Sequence, residues 1–528
     1  MHLEQYRATF APELPQALSQ LERAVFVPRK RGSTDKEIAR LFPRTQEQDS
    51  LDVVVQALQG TSFSRTIQKV GVVFSGGQAP GGHNVIAGLY DALQKIAPTS
   101  VLLGFLGGPS GILEKRYLEI EKELLQKYRN QGGFDLIGSG RTKLESAADL
   151  AASLEVCSTL DLDGLVIIGG DDSNTNAALL AEYFLEHGCK TSVVGVPKTI
   201  DGDLQSEEIP ISFGFDTATK IYAELIGNIG KDALSAKKYY HFIRLMGRSA
   251  SHVALECALK THPNLTLLSE ECWEKKRSLS EVVEEITTLI EKRGEKGLFY
   301  GVLLIPEGLL EFLPEMQSLI QAINEILAGK GTVPASLPRP LAYLFDSLPE
   351  KIQQQLLLDR DPHGNVQVSK IETEALLITL VQRRLEEKGL FEGTFRPVSH
   401  FLGYEGRAGY PSNFDANYCY SLGTIAALLI RGSHSGYMAT CRSLHLDTQK
   451  WEPKAIPITM LMQMERRKGK DKPVIRKALV DFSSAGYQSF AAKREAWKWE
   501  DDYQMPGPLQ LFGPSDLVNI KPISLRQS

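Results

Sequence analysis

Two adjacent carboxylates, Asp171 and Asp172, lie between an apolar run and a helical pattern, within the segment Gly169–Thr175. Burying carboxylates at the end of a strand costs free energy unless a cation or hydrogen bonds compensate them. A Mg²⁺ ion that bridges to phosphate oxygens would satisfy one of the two. Capping of the helix N-terminus is the alternative role, because aspartate, serine and asparagine all cap well. One aspartate would favour capping, whereas two favour a metal–phosphate site.

A lysine lies close to two further aspartates in the segment Pro197–Asp203, where Lys198 precedes Asp201 and Asp203. This lysine could neutralise a phosphate while a neighbouring aspartate acts as a general base. A local ion pair in a turn is the simpler interpretation. However, a local ion pair does not explain why several charged segments each follow an apolar run, whereas a shared binding site does.

A third segment that could bind a ligand, Ser75–Gly82, is rich in glycine and precedes a helical pattern that begins near Asn84. Glycines let the backbone approach an anion closely, and a helix N-terminus supplies N–H groups. A tight turn without a ligand is equally compatible with this segment alone. The sequence contains neither the GxGxxG spacing of nicotinamide-binding folds nor a GxxxxGK[ST] P-loop, which argues against two common nucleotide folds.

The elements that must position these segments follow an α/β rhythm. Continuous apolar runs predict strands buried on both faces, and spacings of three and four predict amphipathic helices. Strands are predicted at Val70–Phe74, Gly164–Ile168, Ser192–Val196, His241–Leu245, Leu298–Ile305, Gly436–Thr440 and Lys477–Asp481, and helices at Asn84–Ile96, Asn174–Glu186, Ser249–Lys260 and Glu281–Lys292. Residues 1–68 have a mostly helical pattern. Because ligands bind at the carboxyl ends of strands in open α/β sheets, the charged segments should meet at one sheet edge.

Composition excludes several classes of protein. The chain has 528 residues, of which 42% are hydrophobic and 23% charged, as in ordinary folded proteins. Its net charge of −5 argues against a general nucleic-acid or anionic-membrane binder. No run reaches the ~18 apolar residues of a transmembrane helix, and the amino terminus lacks an apolar signal-peptide core. The six cysteines form no close pair, so we expect reduced thiols and a cytoplasmic location.

Five motifs occur in the order found in phosphofructokinases: Gly169–Ser173, Pro197–Asp203, Met246–His252, Pro306–Gly308 and Gly403–Arg407. The chain resembles this family over about residues 69–485, and in detail it resembles the long, pyrophosphate-dependent subfamily. ATP-using relatives typically have glycine at the positions of Asp172 and Lys198. These two residues therefore indicate pyrophosphate as the phosphoryl donor.

For the donor side, the resemblance implies a role for each matching residue. Asp201 would accept the proton of the sugar 1-hydroxyl, and Lys198 would neutralise the transferred phosphoryl group. Asp171 would hold Mg²⁺, the expected cofactor. Asp172 would act as a gate against nucleotides. Pyrophosphate contacts are implied for Gly76, through its backbone, and for Arg141.

For the acceptor side, the resemblance implies a sugar-phosphate pocket in which arginine binds phosphate and a glutamate accepts from sugar hydroxyls. Its implied members are Thr199, Ile200, Asp201, Met246, Gly247, Arg248, Glu307, Tyr404, Glu405, Gly406 and Arg407. Lys238 and Tyr239 match positions that reach the neighbouring subunit's sugar phosphate. A homodimer or higher homo-oligomer with shared active sites is therefore expected.

The resemblance also implies the architecture: an α/β fold with two doubly wound, mainly parallel-sheet domains, an N-terminal extension and a helical insertion. The expected divisions are 1–68 for the extension, 69–235 for a pyrophosphate- and Mg²⁺-binding domain, 236–460 for a sugar-phosphate-binding domain and 461–528 for a C-terminal segment. The insertion, about 309–395, belongs to the third of these.

The implied reaction is reversible phosphoryl transfer from pyrophosphate to fructose 6-phosphate, which gives fructose 1,6-bisphosphate and phosphate. An ATP-dependent phosphofructokinase is one alternative. A non-catalytic regulatory subunit of a heteromeric enzyme is another, although Asp171, Lys198, Asp201 and Arg248 are all present. A nicotinamide-dependent oxidoreductase is a distant third. No nucleic-acid or membrane partner is expected.

Overall fold

The computed structural model describes residues 2–30, 35–56, 67–329, 331–358, 366–389, 391–467 and 470–525. The chain forms two compact units, each built from several stretches of sequence. The first unit comprises Met1–Ala218, Tyr404–Ala478 and Leu509–Lys521, and the second comprises Thr219–Gly403, Leu479–Pro508 and Pro522–Ser528.

The regular elements alternate along most of the chain. The strands are β1 Ala24–Arg29, β2 Ser50–Val55, β3 Lys69–Ser75, β4 Val101–Phe105, β5 Tyr117–Glu119, β6 Ser139–Gly140, β7 Gly164–Gly169, β8 Ser192–Thr199, β9 Phe213–Gly214, β10 Tyr239–Leu245, β11 Leu265–Thr266, β12 Tyr300–Pro306, β13 Pro397–Leu402, β14 Tyr437–Arg442, β15 Glu452–Pro457, β16 Met462–Arg467 and β17 Lys470–Ile475. The helices are α1 Leu3–Arg7, α2 Lys36–Leu41, α3 Gly82–Ile96, α4 Ser110–Leu113, α5 Lys122–Gln126, α6 Ala147–Thr159, α7 Asp171–Glu186, α8 Phe215–Ala236, α9 His252–Thr261, α10 Ser269–Glu274, α11 Leu279–Glu295, α12 Pro314–Ala328, α13 Arg339–Ser347, α14 Glu350–Leu358, α15 Thr373–Lys388, α16 Asn413–Arg431, α17 Ala485–Trp497 and α18 Ser515–Val518. Short 3₁₀ helices span Gln16–Leu18, Leu309–Phe312, Val368–Lys370, Tyr404–Gly406, Thr448–Lys450, Ile458–Leu461 and Ile523–Leu525.

The sheet of the first unit has the order β1-β2-β15-β14-β8-β7-β3-β4-β5, with β6 beside β3 and β9 beside β8. Its centre, β14-β8-β7-β3-β4, is parallel, and its outer strands pair antiparallel. Residues of β7 alternate between the two faces, so Leu165 and Ile167 pack with α6 and α7 on one side. The predicted α/β class is confirmed.

Two glycines let the helices α3 and α16 approach closely. A Cβ at Gly88 would lie 2.1 Å from the Tyr420 carbonyl oxygen, and one at Gly423 would lie 2.0 Å from the Val85 carbonyl oxygen. Larger residues at these positions would push the helices apart. The α3 helix directly follows the glycine-rich turn. Its close packing against α16 therefore helps to hold the turn in position.

The second unit contains a parallel sheet with the order β11-β12-β10-β13. Its apolar core combines residues of β10 and β12 with residues of α11 through α15. The predicted helical insertion is confirmed as helical, since α12 through α15 lie within it. These helices supply much of the core and are therefore an integral layer of this unit.

Two predictions of local structure are wrong. Residues 1–68 include the antiparallel strands β1 and β2 beside the short helices α1 and α2, although the pattern indicated mainly helix. Lys477–Asp481 forms no regular strand; the strand β17 ends just before it, at Ile475.

The predicted domain bounds treat domains as successive stretches of sequence, whereas residues 404–460 belong to the first unit. Among the helices of the described residues, none is long and apolar enough to cross a membrane.

Candidate active site

The glycine-rich segment and the two charged segments of the first unit meet at the carboxyl ends of adjacent strands, as predicted. In the parallel register Ser75 lies opposite Gly169, and Gly169 lies opposite Pro197. The strands β3, β7 and β8 therefore end side by side, and the residues that follow each strand share one edge of the sheet.

The glycine-rich turn forms a corner surrounded by cations. Gly76 has a φ of +91°, and a Cβ at this residue would lie 3.5 Å from the Lys198 Nζ. A Cβ at Gly77 would lie 3.7 Å from an Arg141 guanidinium nitrogen and 3.8 Å from one of Arg407. The backbone is therefore accessible to an anion at the point where three side-chain cations approach it.

Hydrogen bonds fix this turn to the segment that carries Arg141. The Gly76 N–H donates to the Gly140 carbonyl over 2.8 Å, and the Ser139 hydroxyl donates to the Gly76 carbonyl over 2.6 Å. The strand β6 extends the pairing, with Ser75 opposite Gly140. Arg141 directly follows this pairing, which places it beside the glycine-rich turn.

Lys198 is a buried lysine in an acidic environment. Its side chain lies on β8 and is 7% exposed. Burial lowers the pKa of Lys198 to about 8, against the opposing effect of the carboxylates of Asp201, Asp171 and Asp203. A buried cation of this kind favours an anionic ligand that replaces its lost hydration.

Asp171 and Asp172 form the start of α7. The N-cap residue is Gly170, so Asp171 and Asp172 lie inside the first turn and neither is the N-cap residue. Burial raises the pKa of Asp171; Lys477 lowers it, and Asp172 and Asp203 raise it further. The carboxylate of Asp171 would therefore gain from a cation.

The donor set around Asp171 fits a cation that is bound partly by phosphate. Within the described residues, no group of three or more histidine, cysteine, aspartate or glutamate side chains could hold a metal by itself. Mg²⁺ usually binds through one or two carboxylates together with water and phosphate oxygens. One carboxylate beside an anion-accepting turn matches that pattern.

Three lysines lie near Asp171, Asp172 and Glu145, and the sequence analysis did not identify them as a group. The Asp172 carboxylate lies 3.3 Å from the Lys143 Nζ, and the Asp172 side chain is half exposed. Lys477 lies 3.8 Å from Asp171, and Lys472 lies 2.8 Å from Glu145. Lys472 and Lys477 are some 300 residues from these partners in sequence, so no local spacing could have revealed them.

Asp201 lies in the turn that directly follows β8. Its N–H donates to the Thr199 hydroxyl over 3.1 Å, and Gly202 has a φ of +77°. Ile200 is buried, whereas Thr199 and Asp201 are partly exposed. The carboxylate is thus held next to Lys198 on a short, locally bonded turn.

The segment Tyr404–Arg407 also belongs to the first unit. The Arg407 guanidinium lies 4.7 Å from the centroid of the Tyr404 ring, and Tyr404 and Glu405 are exposed. Gly406 is buried below them. Arg407 therefore connects this predicted acceptor segment to the glycine corner of the donor side.

In the second unit, Met246, Gly247 and Arg248 follow β10, and Glu307 follows the adjacent strand β12. The Gly247 N–H donates to the Glu307 carboxylate over 3.1 Å, and Gly247 has a φ of +128°. Glu307 is buried, whereas Arg248 is exposed. The predicted residues are therefore grouped at one edge of this sheet.

Lys238 and Tyr239 lie elsewhere. Tyr239 begins β10, with the unusual φ of +76°, and the Lys238 ammonium lies 5.7 Å from its ring centroid. They are thus at the opposite end of the strand from Met246–Arg248. Their expected role in the sugar-phosphate site of another chain stays a prediction.

Comparison with known proteins adds independent information. Residues 69–430 match the family described as phosphofructokinase. The chain is 51% identical to pyrophosphate–fructose 6-phosphate 1-phosphotransferase subunit beta 2 of Arabidopsis thaliana, over 92% of this chain and 86% of that protein. It is 47% identical to pyrophosphate–fructose 6-phosphate 1-phosphotransferase of Treponema pallidum, over 99% and 96%. The crystal structure of a pyrophosphate-dependent phosphofructokinase from Nitrosospira multiformis has the same fold, with a TM-score of 0.56, 16% identity and coverage of 87% and 98%.

Proposed function

The chain belongs to the phosphofructokinase family, and on this premise we propose that it transfers a phosphoryl group reversibly from pyrophosphate to the 1-hydroxyl of fructose 6-phosphate. The products are fructose 1,6-bisphosphate and phosphate. One observation carries the choice of donor: the buried Lys198 ammonium approaches the glycine turn at Gly76 and interacts with the carboxylate of Asp171. The names of the similar proteins support the same donor.

In the proposed mechanism, Asp201 accepts the proton of the 1-hydroxyl as that oxygen attacks phosphorus. Lys198 balances the charge of the transferred phosphoryl group, and Arg141 binds pyrophosphate. The Gly76 N–H is bonded to Gly140, so the glycines of this turn contribute space for the anion beside Lys198. Phosphoryl transfer depends mainly on positioning and charge stabilisation, so fixed cations beside an accessible backbone can supply much of the catalysis.

We assign Asp171 as the protein ligand for Mg²⁺, which would neutralise charge on the pyrophosphate oxygens. The acceptor residues that the family resemblance implies are Thr199, Ile200 and Tyr404–Arg407 in the first unit and Met246, Gly247, Arg248 and Glu307 in the second. Arg248 suits the 6-phosphate because its planar donor fork matches phosphate oxygens. The six cysteines are all unpaired, which supports a cytoplasmic location.

An assay of the purified protein with fructose 6-phosphate and Mg²⁺ tests the donor directly. Pyrophosphate and ATP are supplied in parallel and then in competition, and fructose 1,6-bisphosphate is measured. We expect activity with pyrophosphate that ATP neither replaces nor inhibits at equal concentration. Activity with ATP alone would favour an ATP-dependent enzyme. Activity that appears only with a second polypeptide would favour the regulatory-subunit alternative, which the subunit name of the Arabidopsis relative keeps open.

Replacing Asp172 by glycine should weaken the use of pyrophosphate and allow measurable ATP-dependent activity. On this hypothesis the carboxylate fills space that the α-phosphate of a nucleotide would need, and its charge would repel that phosphate. Lys198 limits the gain, since ATP-using relatives have glycine there as well. The kcat/KM values for both donors are measured, with Glu145→Gln as a control because Glu145 also pairs with Lys143. A folded variant with unchanged pyrophosphate activity and no ATP use would refute the gate.

If Lys238 and Tyr239 complete the sugar-phosphate site of a neighbouring chain, specific activity should fall as the protein is diluted to monomers. Light scattering and activity are measured over the same range of concentration. Replacing Lys238 by alanine should raise the KM for fructose 6-phosphate. The control is the same substitution at the exposed Lys231, which should leave this KM unchanged. A fully active monomer would disprove the shared site.

A further inference from the structure

A buried carboxylate outside the proposed site holds the loop that carries Arg248. This loop, residues 246–251, connects β10 to α9 and contains Met246, Gly247 and Arg248. The Glu270 Oε1 accepts the N–H of Ser251 over 2.9 Å, at the end of the loop. Glu270 is only 4% exposed. The carboxylate therefore fixes the point at which the loop enters α9.

Two more hydrogen bonds surround this contact. The Val480 N–H donates to the same Glu270 oxygen over 3.1 Å. The Ser269 N–H donates to the Ser251 hydroxyl over 2.9 Å. The start of α10 therefore both donates a hydrogen bond to Ser251 and accepts one from it. Three backbone N–H groups thus depend on Glu270 and Ser251, and leaving buried donors without acceptors is costly.

The other end of the loop is held by Glu307, whose carboxylate accepts the Gly247 N–H over 3.1 Å. A Cβ at Gly308 would overlap the Arg248 carbonyl oxygen, so the loop backbone also packs tightly against that turn. Arg248 itself is exposed. The guanidinium therefore extends from a backbone that two buried glutamates hold, one on each side.

The second oxygen of Glu270 strengthens the argument. It is buried and makes no hydrogen bond within the part of the chain that the structure describes. A carboxylate in this state costs free energy of folding. The carboxylate offsets part of this cost by accepting the N–H groups of Ser251 and Val480, which an apolar residue of the same size would not do.

We infer that Glu270 is a positioning residue for acceptor binding: it orients the 246–251 loop so that Arg248 binds the phosphate of the sugar. The inference rests on the proposed function, because it assigns the Arg248 loop to fructose 6-phosphate. In this role Glu270 acts through the backbone N–H of Ser251 and binds no substrate itself.

The adjacent Glu271 provides a matched control. It lies in the same short helix and is also buried. Its carboxylate accepts instead from Arg494 over 2.6 Å and from the Tyr487 hydroxyl over 2.8 Å, both in the C-terminal part of the chain. Loss of Glu271 should therefore lower stability without displacing the loop.

The test compares Glu270→Ala, Glu270→Gln and Glu271→Ala in the full-length protein. For Glu270→Ala, the KM and the calorimetric Kd for fructose 6-phosphate should rise about 10- to 100-fold, the range found when groups that orient primary ligands are removed. The KM for pyrophosphate should stay unchanged. Glu270→Gln keeps a carbonyl oxygen as acceptor, so its KM should remain within about threefold of the unaltered protein.

Glu271→Ala should leave both KM values unchanged, even if its melting temperature falls as far as that of Glu270→Ala. Equal changes in the two alanine variants, a parallel change in the pyrophosphate KM, or no change in Glu270→Ala would overturn the inference. If Glu270→Ala does not fold, Glu270→Asp decides in its place, since it keeps the charge but shortens the side chain by one methylene, which moves the carboxylate away from the Ser251 N–H and should also raise only the KM for fructose 6-phosphate. An unaltered protein that is inactive with pyrophosphate and does not bind fructose 6-phosphate would instead refute the proposed function itself.

Discussion

Replacing Asp201 by asparagine should lower kcat about 10²–10⁴-fold while substrate affinity changes little, because general-base catalysis is typically worth that much. Asparagine has nearly the same shape as aspartate, and the contact that holds the turn runs from the Asp201 N–H to Thr199, so it does not use the carboxylate. The variant should therefore fold normally. The loss should affect both directions of the reaction, since the same group accepts the proton in one direction and returns it in the other.

Asp203→Asn is the matched control for this prediction. Asp203 lies two residues away and also faces Lys198, as its effect on the pKa of that lysine shows. Its loss changes the charge around Lys198 but removes no proposed base, so we expect less than about a tenfold change in kcat. The kcat in both directions and the Kd for fructose 6-phosphate are measured for each variant. A near-normal kcat for Asp201→Asn would exclude Asp201 as the base.

Replacing Lys198 by methionine should lower kcat with pyrophosphate by about 10²–10³-fold, the loss typical of removing one group that stabilises charge in the transition state. Methionine has a similar length and suits a buried position, so the variant should fold. The KM for fructose 6-phosphate should change much less than kcat. A Lys198→Met protein with near-normal kcat would show that the cation is dispensable.

The pH dependence gives a second test of Lys198. Because burial lowers its pKa to about 8, the ammonium is present below that pH and is lost above it. The kcat/KM for pyrophosphate should therefore decline as the pH rises through about 8. Lys198→Arg stays charged over this range, so its lower activity should lack the decline. If the kcat/KM of Lys198→Arg still declined above about pH 8, the titrating group would not be Lys198.

The donor side could be predicted from the sequence because its parts follow the ends of fully buried strands. Runs such as Val70–Phe74 and Gly164–Ile168 have no polar interruption, so their carboxyl ends, and the charged segments after them, are easy to place. The strands β1 and β2, at one end of the sheet, are only partly buried, and their apolar runs, Ala24–Val27 and Val53–Val55, are shorter. Their pattern is weak, which explains why the N-terminal region was predicted as mainly helical.

Long-range contacts were beyond sequence reasoning. Lys477 reaches Asp171 only because the chain returns to the first unit after the second, and no spacing indicates this return. The contact of Glu270 with Ser251 is similar, since it depends on how α10 packs beside the loop. Residue types therefore revealed the chemistry of the site, whereas the groups that hold it in place needed the structure.

The most direct test of the proposed reaction is ³¹P NMR of the purified protein with fructose 6-phosphate, pyrophosphate and Mg²⁺, without nucleotide. The pyrophosphate signal should decline while inorganic phosphate and a new 1-phosphate ester increase in equal amounts, and added phosphate with fructose 1,6-bisphosphate should regenerate pyrophosphate. Conversion of pyrophosphate to phosphate without the ester, or formation of the ester only when ATP is supplied, would contradict the account.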